Sequence, residues 1–151
     1  MRPPGVLASS RQHCRAALAD CFLRRLIGAG FAKAIRMKRV MVVEDDVDIR
    51  RGVVDALELE GYEVVEAGDG REALRKLREL ARPAAIVLDL MMPGMNGWQF
   101  RDEQQRDPEL ARIPVIVVSA RMPDDSMPAT TYVAKPFGVD TLLDAIVRCS
   151  G

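Results

Sequence analysis

Apolar residues in this chain gather into short unbroken runs, with amphipathic stretches between them. Val40-Met41-Val42-Val43 is one run and ends in Glu44-Asp45-Asp46. Ala85-Ile86-Val87-Leu88 is a second; it stops at Asp89, and a Pro93-Gly94 turn follows closely. Val115-Ile116-Val117-Val118 follows Pro114 and ends at Ser119. Short apolar runs bounded by turn formers predict strands buried on both faces of a sheet. Glu63–Glu66 and Thr131–Ala134 are more polar, as suits sheet edges, and the latter ends at Lys135-Pro136.

The intervening stretches carry helical periodicity. Ile49, Val53, Ala56 and Leu57 fall on one face of a first helix, which Gly61 ends as a C′ residue. Asp69 is predicted to cap a second helix in a capping box with Glu72, placing Ala73, Leu74, Leu77 and Leu80 inward, with Pro83 as its stop. Asn96 caps a third helix running to about Arg106, and a last helix from about Val139 presents Leu142, Leu143, Ile146 and Val147. Strands alternating with helices imply right-handed crossovers and a parallel sheet. Apolar central strands and polar edges fit an α/β, flavodoxin-like, doubly wound five-stranded sheet of order 2-1-3-4-5. Two prolines and several turn formers within residues 121–128 predict a fourth helix that is shortened or absent.

Charge divides the chain. Residues 1–36 hold seven Lys/Arg and one acid, a net of +6, whereas residues 37–151 carry a net of −6. This asymmetry predicts a basic N-terminal extension followed by an acidic domain over 37–151. The extension fits an amphipathic arm, a targeting segment, or a stretch ahead of a true chain start at Met37. The acidic domain lacks the basic surface that phosphate neutralisation needs, so direct nucleic-acid binding is not expected. Three cysteines (Cys14, Cys21, Cys149) and the single His13 make neither a disulfide framework nor a usual zinc-ligand spacing. No apolar run approaches the ~18–20 residues of a membrane span. A reducing cytoplasm is the expected location.

In a parallel sheet every strand ends on the same rim. Glu44 and Asp45, Asp89, Ser119 and Lys135 therefore converge. Carboxylates a few ångströms apart repel by about 4 kcal/mol per pair at an effective dielectric near 20. A hard cation relieves this, and oxygen ligands without His or Cys favour Mg²⁺. Lys135 offers a point charge to an anion's oxygens, and Ser119 offers a hydroxyl. Asp89 becomes a candidate nucleophile for phosphorus, forming an acyl phosphate. Each residue has a plainer reading: a helix-dipole acidic cluster for 44–46, a turn for Ser119, a solvated charge for Lys135. Their joint placement at successive strand ends favours the chemistry.

These pieces resemble the response-regulator receiver domain of two-component signalling. The resemblance rests on Val42-Val43-Glu44-Asp45-Asp46, Leu88-Asp89-Leu90-Met91-Met92-Pro93-Gly94-Met95-Asn96-Gly97, Val117-Val118-Ser119-Ala120 and Tyr132-Val133-Ala134-Lys135-Pro136-Phe137. It implies that Asp89 accepts a phosphoryl group from a sensor histidine kinase or a phosphotransfer protein. It implies Mg²⁺ held directly by Asp45 and Asp89, by the Met91 backbone carbonyl, and by Glu44 through water. It makes Ser119 the switch hydroxyl, Tyr132 the coupled switch aromatic, and Lys135 the phosphate partner before a cis Pro136. Asp46 matches a position that is often acidic but not essential.

Two departures stand out. Ser119 and Lys135 are 16 residues apart, several fewer than is usual in the family, and this puts the usual output surface in doubt. No output module follows the last helix, so a stand-alone receiver is expected, signalling to a downstream protein by docking or by phosphorelay. Met91 and Arg121 should flank the path of hydrolytic water, and an apolar Met91 cannot orient that water, which predicts a long-lived acyl phosphate. Competing functions fare worse. An aspartyl phosphatase would need an acid where Met91 stands, and a nucleotide- or flavin-binding module would need a Gly-rich loop where Glu44-Asp45-Asp46 stands. A phosphorylation-independent, receiver-like adaptor remains the alternative.

Overall fold

The computed structural model describes residues 38–121, 129 and 131–151. Residues 1–37, 122–128 and 130 lie outside these, and with them the expectations about an N-terminal arm and a shortened fourth helix. Strands β1 (Arg39–Val43), β2 (Glu63–Ala67), β3 (Ala85–Asp89), β4 (Val115–Ser119) and β5 (Thr131–Ala134) form one sheet. Its order is β2-β1-β3-β4-β5, and every neighbouring pair is parallel. This is the flavodoxin-like order that the polarity of the runs predicts.

Pleating divides each apolar run between two cores. Met41, Val43, Ile86, Leu88, Val115 and Val117 face one side; Val40, Val42, Val87, Ile116 and Val118 face the other. Helices α2 (Gly70–Glu79) and α3 (Gly97–Arg106) cover the first core through Ala73, Leu74, Leu77 and Phe100. Helices α1 (Val47–Leu59) and α5 (Val139–Ser150) cover the second through Val54, Leu57, Leu142 and Ile146. A continuous apolar run is thus what a strand with helices on both faces requires.

The helices depart from the periodicity reading in their end turns. Ile49 is 43% exposed and Val54 takes the inward place, because the first turn of α1 starts at the rim where the strands have already ended. Likewise Leu80 is exposed as the extended C-cap of α2, three residues before the buried Pro83, and Val147 is exposed where Ala145 is buried. A short helix α4 (Pro108–Ala111) was not predicted, although Asp107 as N-cap before Pro108 at N1 is a start signal. Gly61 follows the C-cap of α1 with φ +83°, as the C′ reading requires.

Candidate functional site

All the rim residues singled out in the sequence lie at strand ends. Asp89 is the last residue of β3 and pairs in register with Val118, while Ser119 pairs with Ala134 one step further along. Glu44 follows β1, and its amide donates to the Ala67 carbonyl, which carries the β1–β2 pairing one residue past the strand. Glu44, Asp89 and Ser119 are buried, Asp45 is half-buried, and Lys135 is half-buried beside them. Glu44, Asp45 and Asp89 each offer one oxygen within 4.8 Å of the others.

Lys135 ties the carboxylates together. Its Nζ donates to Glu44 Oε2 at 2.8 Å and lies 3.5 Å from Asp89 Oδ1. Its backbone amide donates to the Ser119 carbonyl at 2.8 Å, so β4 holds the lysine where it reaches across to β1 and β3. Burial pushes the Glu44 carboxyl above its ordinary range and Asp89 adds to the rise, while Lys135 opposes both without cancelling them. Burial pulls the Lys135 ammonium down, but the contacts to Glu44 and Asp89 outweigh it and leave it raised. The pocket carries more negative charge than one ammonium balances. An all-oxygen donor set with surplus negative charge fits a hard divalent cation.

Asp46 behaves differently from its neighbours. It is exposed and N-caps α1, accepting from Asp48 N at 2.9 Å and Ile49 N at 3.0 Å. The helix-cap reading therefore holds for Asp46 alone. Ser119 Oγ accepts from Arg121 N at 3.2 Å, and Met91 N donates weakly to Asp89 Oδ1 at 3.4 Å. Met91 itself is 66% exposed. Tyr132 is half-buried, packs on the core beneath α2 and α3, and pairs in register with Val117. The peptide bond before Pro136 is cis.

Two supporting residues escaped the sequence reading. Arg50 donates to the Glu44 carbonyl at 2.7 Å and to Glu66 at 3.1 Å, bracing the turn that carries the acids. A Cβ at Gly97 would stand 2.7 Å from the Asp89 carbonyl oxygen and 2.7 Å from Leu90 Cα, so only glycine lets α3 start against the end of β3. Glycine at the start of a helix was a weak signal for this. Arg50 gave none, since its spacing from Glu44 matches no motif.

A parallel sheet of this order, with acids after β1 and β3, a hydroxyl after β4 and a lysine after β5, defines a receiver. The model of the response regulator receiver domain matches residues 40–147, and the chain belongs to that family. Receiver domains of two-component systems are phosphoacceptors rather than enzymes in the usual sense, and they work with histidine kinases or phosphotransfer proteins. Among proteins of known sequence, the chain is 38% identical over 109 residues to the probable transcriptional regulator ycf27 of Cyanophora paradoxa, covering 68% of this chain and 44% of that protein. It spans about half the length of the curated relatives it matches. Among solved structures, the chemotaxis protein CheY4 of Vibrio cholerae is 33% identical with a TM-score of 0.70, covering 75% of this chain and 98% of that one. The response regulator TrrA of Thermotoga maritima, solved in complex with Mg²⁺-BeF, is 31% identical with a TM-score of 0.67, covering 75% of this chain and 99% of that one.

Proposed function

We propose that this protein is a phosphoacceptor whose Asp89 takes a phosphoryl group from the phosphohistidine of a sensor histidine kinase or phosphotransfer protein. The convergence of Glu44, Asp45 and Asp89 within 4.8 Å, with Lys135 against two of them, carries this reading. An Asp89 carboxylate oxygen forms the new P–O bond as the P–N bond to the donor imidazole breaks. The imidazole keeps the electron pair and gains a proton, and Asp89 becomes an acyl phosphate. The chain catalyses only its own phosphorylation and dephosphorylation. Asp45 and Asp89 would hold Mg²⁺ directly, the Met91 carbonyl would be a third ligand, and Glu44 would act through water. Bound Mg²⁺ supplies charge neutralisation for the transferring group. Lys135 trades its contact with Asp89 for the new phosphoryl oxygens, Ser119 turns its hydroxyl toward them, and Tyr132 follows as the coupled aromatic.

An apolar groove supports the partner assignment. Between α1 and α5, Ile49, Val53, Phe137, Val139 and Lys135 line a space of about 550 Å³. An apolar docking face that includes the site's own lysine suits a donor that must bring a phosphohistidine to Asp89. In this reading residues 37–151 are the receiver unit and 1–36 a basic extension outside it. The unit passes its signal by docking or by handing the phosphoryl group onward. Among the described residues no helix is long and apolar enough to cross a membrane, and we place the protein's action in the cytoplasm.

Incubation with acetyl phosphate and Mg²⁺, followed by intact mass spectrometry, tests the assignment. Wild type should gain the mass of one phosphoryl group and Asp89→Asn should gain none. An unmodified wild type would leave a phosphorylation-independent adaptor as the function. The exposed, apolar Met91 offers nothing to position hydrolytic water, so the adduct should persist; decay within seconds in Mg²⁺ would contradict this.

A further inference from the structure

Helices α2 and α3 enclose a second groove, of about 380 Å³, on the face away from α1 and α5. Its floor is apolar: Leu74 from α2 and Met95 from the β3–α3 connection. Met95 is fixed there, because its carbonyl accepts from Gly70 N at 3.2 Å and its side chain occupies the space a Cβ at Gly70 would take. Arg71, Arg75 and Arg78 line one wall. The spacing i, i+4, i+7 sets three guanidinium groups in a row along one face of α2.

The charges of the groove do not cancel internally. Arg75 is bridged to Glu79 at 2.9 Å, and Glu103 on the other wall is bridged to Arg106 at 2.8 Å. Arg71 and Arg78 make no ion pair among the described residues, and both are exposed. Two uncompensated guanidinium groups therefore flank an apolar floor, on a domain whose overall charge is negative.

We infer that this groove docks an acidic amphipathic helix of a partner protein. Such a helix presents carboxylates at i, i+4 and i+7 to the arginine row, and Leu-like side chains between them to Leu74 and Met95. Arginine pairs with carboxylates in a planar, two-bond fashion, which favours this partner over a diffuse anion. A nucleic-acid strand fits less well. Its sugar-phosphate backbone has no apolar side chain to set on Leu74 and Met95, whereas an amphipathic helix does. The groove shares the loop that leaves Asp89, yet it uses none of the residues assigned to phosphoryl transfer, so it stands or falls independently of that assignment.

Fluorescence anisotropy with the full chain tests the inference. The probe is a labelled synthetic helical peptide with Glu at i, i+4 and i+7 flanking two Leu. Wild type should bind it more tightly than a scrambled peptide of the same composition, with affinity falling as salt rises. The Arg71→Glu/Arg78→Glu variant should bind about tenfold more weakly. An Arg51→Glu/Arg148→Glu variant, with the same net charge change on the opposite helices, should keep wild-type affinity. No binding by wild type, equal binding of the scrambled peptide, or no loss in Arg71→Glu/Arg78→Glu overturns the inference. A single-stranded oligonucleotide that displaces the peptide and binds more tightly would also overturn it.

Discussion

A missing side chain at Gly97 fixes where Asp89 ends up. Alanine there would press on the Asp89 carbonyl and the Leu90 Cα, both backbone atoms that cannot rotate away. Overpacking of this kind costs about 1–3 kcal/mol. Gly97→Ala should therefore lower stability by about 2 kcal/mol in urea denaturation and, on the proposed function, slow phosphorylation by acetyl phosphate, because the strand end carrying Asp89, the proposed nucleophile, must shift. At Gly70 the close atoms are the Met95 side chain and carbonyl, and the side chain can swing aside, so Gly70→Ala should cost less. Glu44, Asp89, Ser119 and Lys135 were legible in the sequence because each stands at the end of a predicted strand, and a parallel sheet puts all such ends on one rim. Gly97 and Arg50 were not, since one acts by lacking a side chain and the other through the backbone carbonyl of Glu44.

The start of α2 shows how local chemistry sets an acid limb. Asp69 accepts from Glu72 N at 2.8 Å as predicted, but the Glu72 carboxylate reaches back to Gly68 N at 2.7 Å rather than to the cap residue itself. The Gly68 amide, and after it the Lys76 ammonium, hold the Glu72 carboxyl below its ordinary value of 4.5. A depressed folded value means the ionised form favours the folded state. Its contribution is present above 4.5 and is lost as pH falls through the folded value. Glu72→Gln should cost about 0.5–1 kcal/mol at neutral pH, and the difference from wild type should close in acid; urea titrations in neutral and acidic buffer would show it. Strands were read almost to the residue because unbroken apolar runs have clear ends. Helix faces were read less well: Ile49 sits in the first turn of α1, at the rim where the strands end, and on α5 the inward row is Leu142, Ala145, Ile146 and the half-buried Cys149, which turns Val147 outward.

The site belongs to the whole sheet, since its groups come from the ends of β1, β3, β4 and β5. A cation held there should tie those ends together. Mg²⁺ at about a hundred times its dissociation constant should stabilise the fold by roughly 2.7 kcal/mol, visible as a raised Tm. Asp45→Asn should lose most of that gain yet melt above wild type when Mg²⁺ is removed by EDTA, because it relieves repulsion within the acidic pocket. The topology was legible from polarity alone: the three strands buried along their length are central, and the two with exposed positions are at the edges. One of those edges, β5, is four residues long, pairs with β4 on one side only, and carries Tyr132 and leads into Lys135. Edge strands open more readily than central ones. When β5 opens, the ammonium leaves Glu44 and Asp89 in the same event that frees the aromatic ring. Under the proposed function, amide hydrogen exchange at Val133 and Lys135 would then count the fraction of molecules unable to accept a phosphoryl group, making fraying of the sheet edge and readiness to receive a signal one equilibrium.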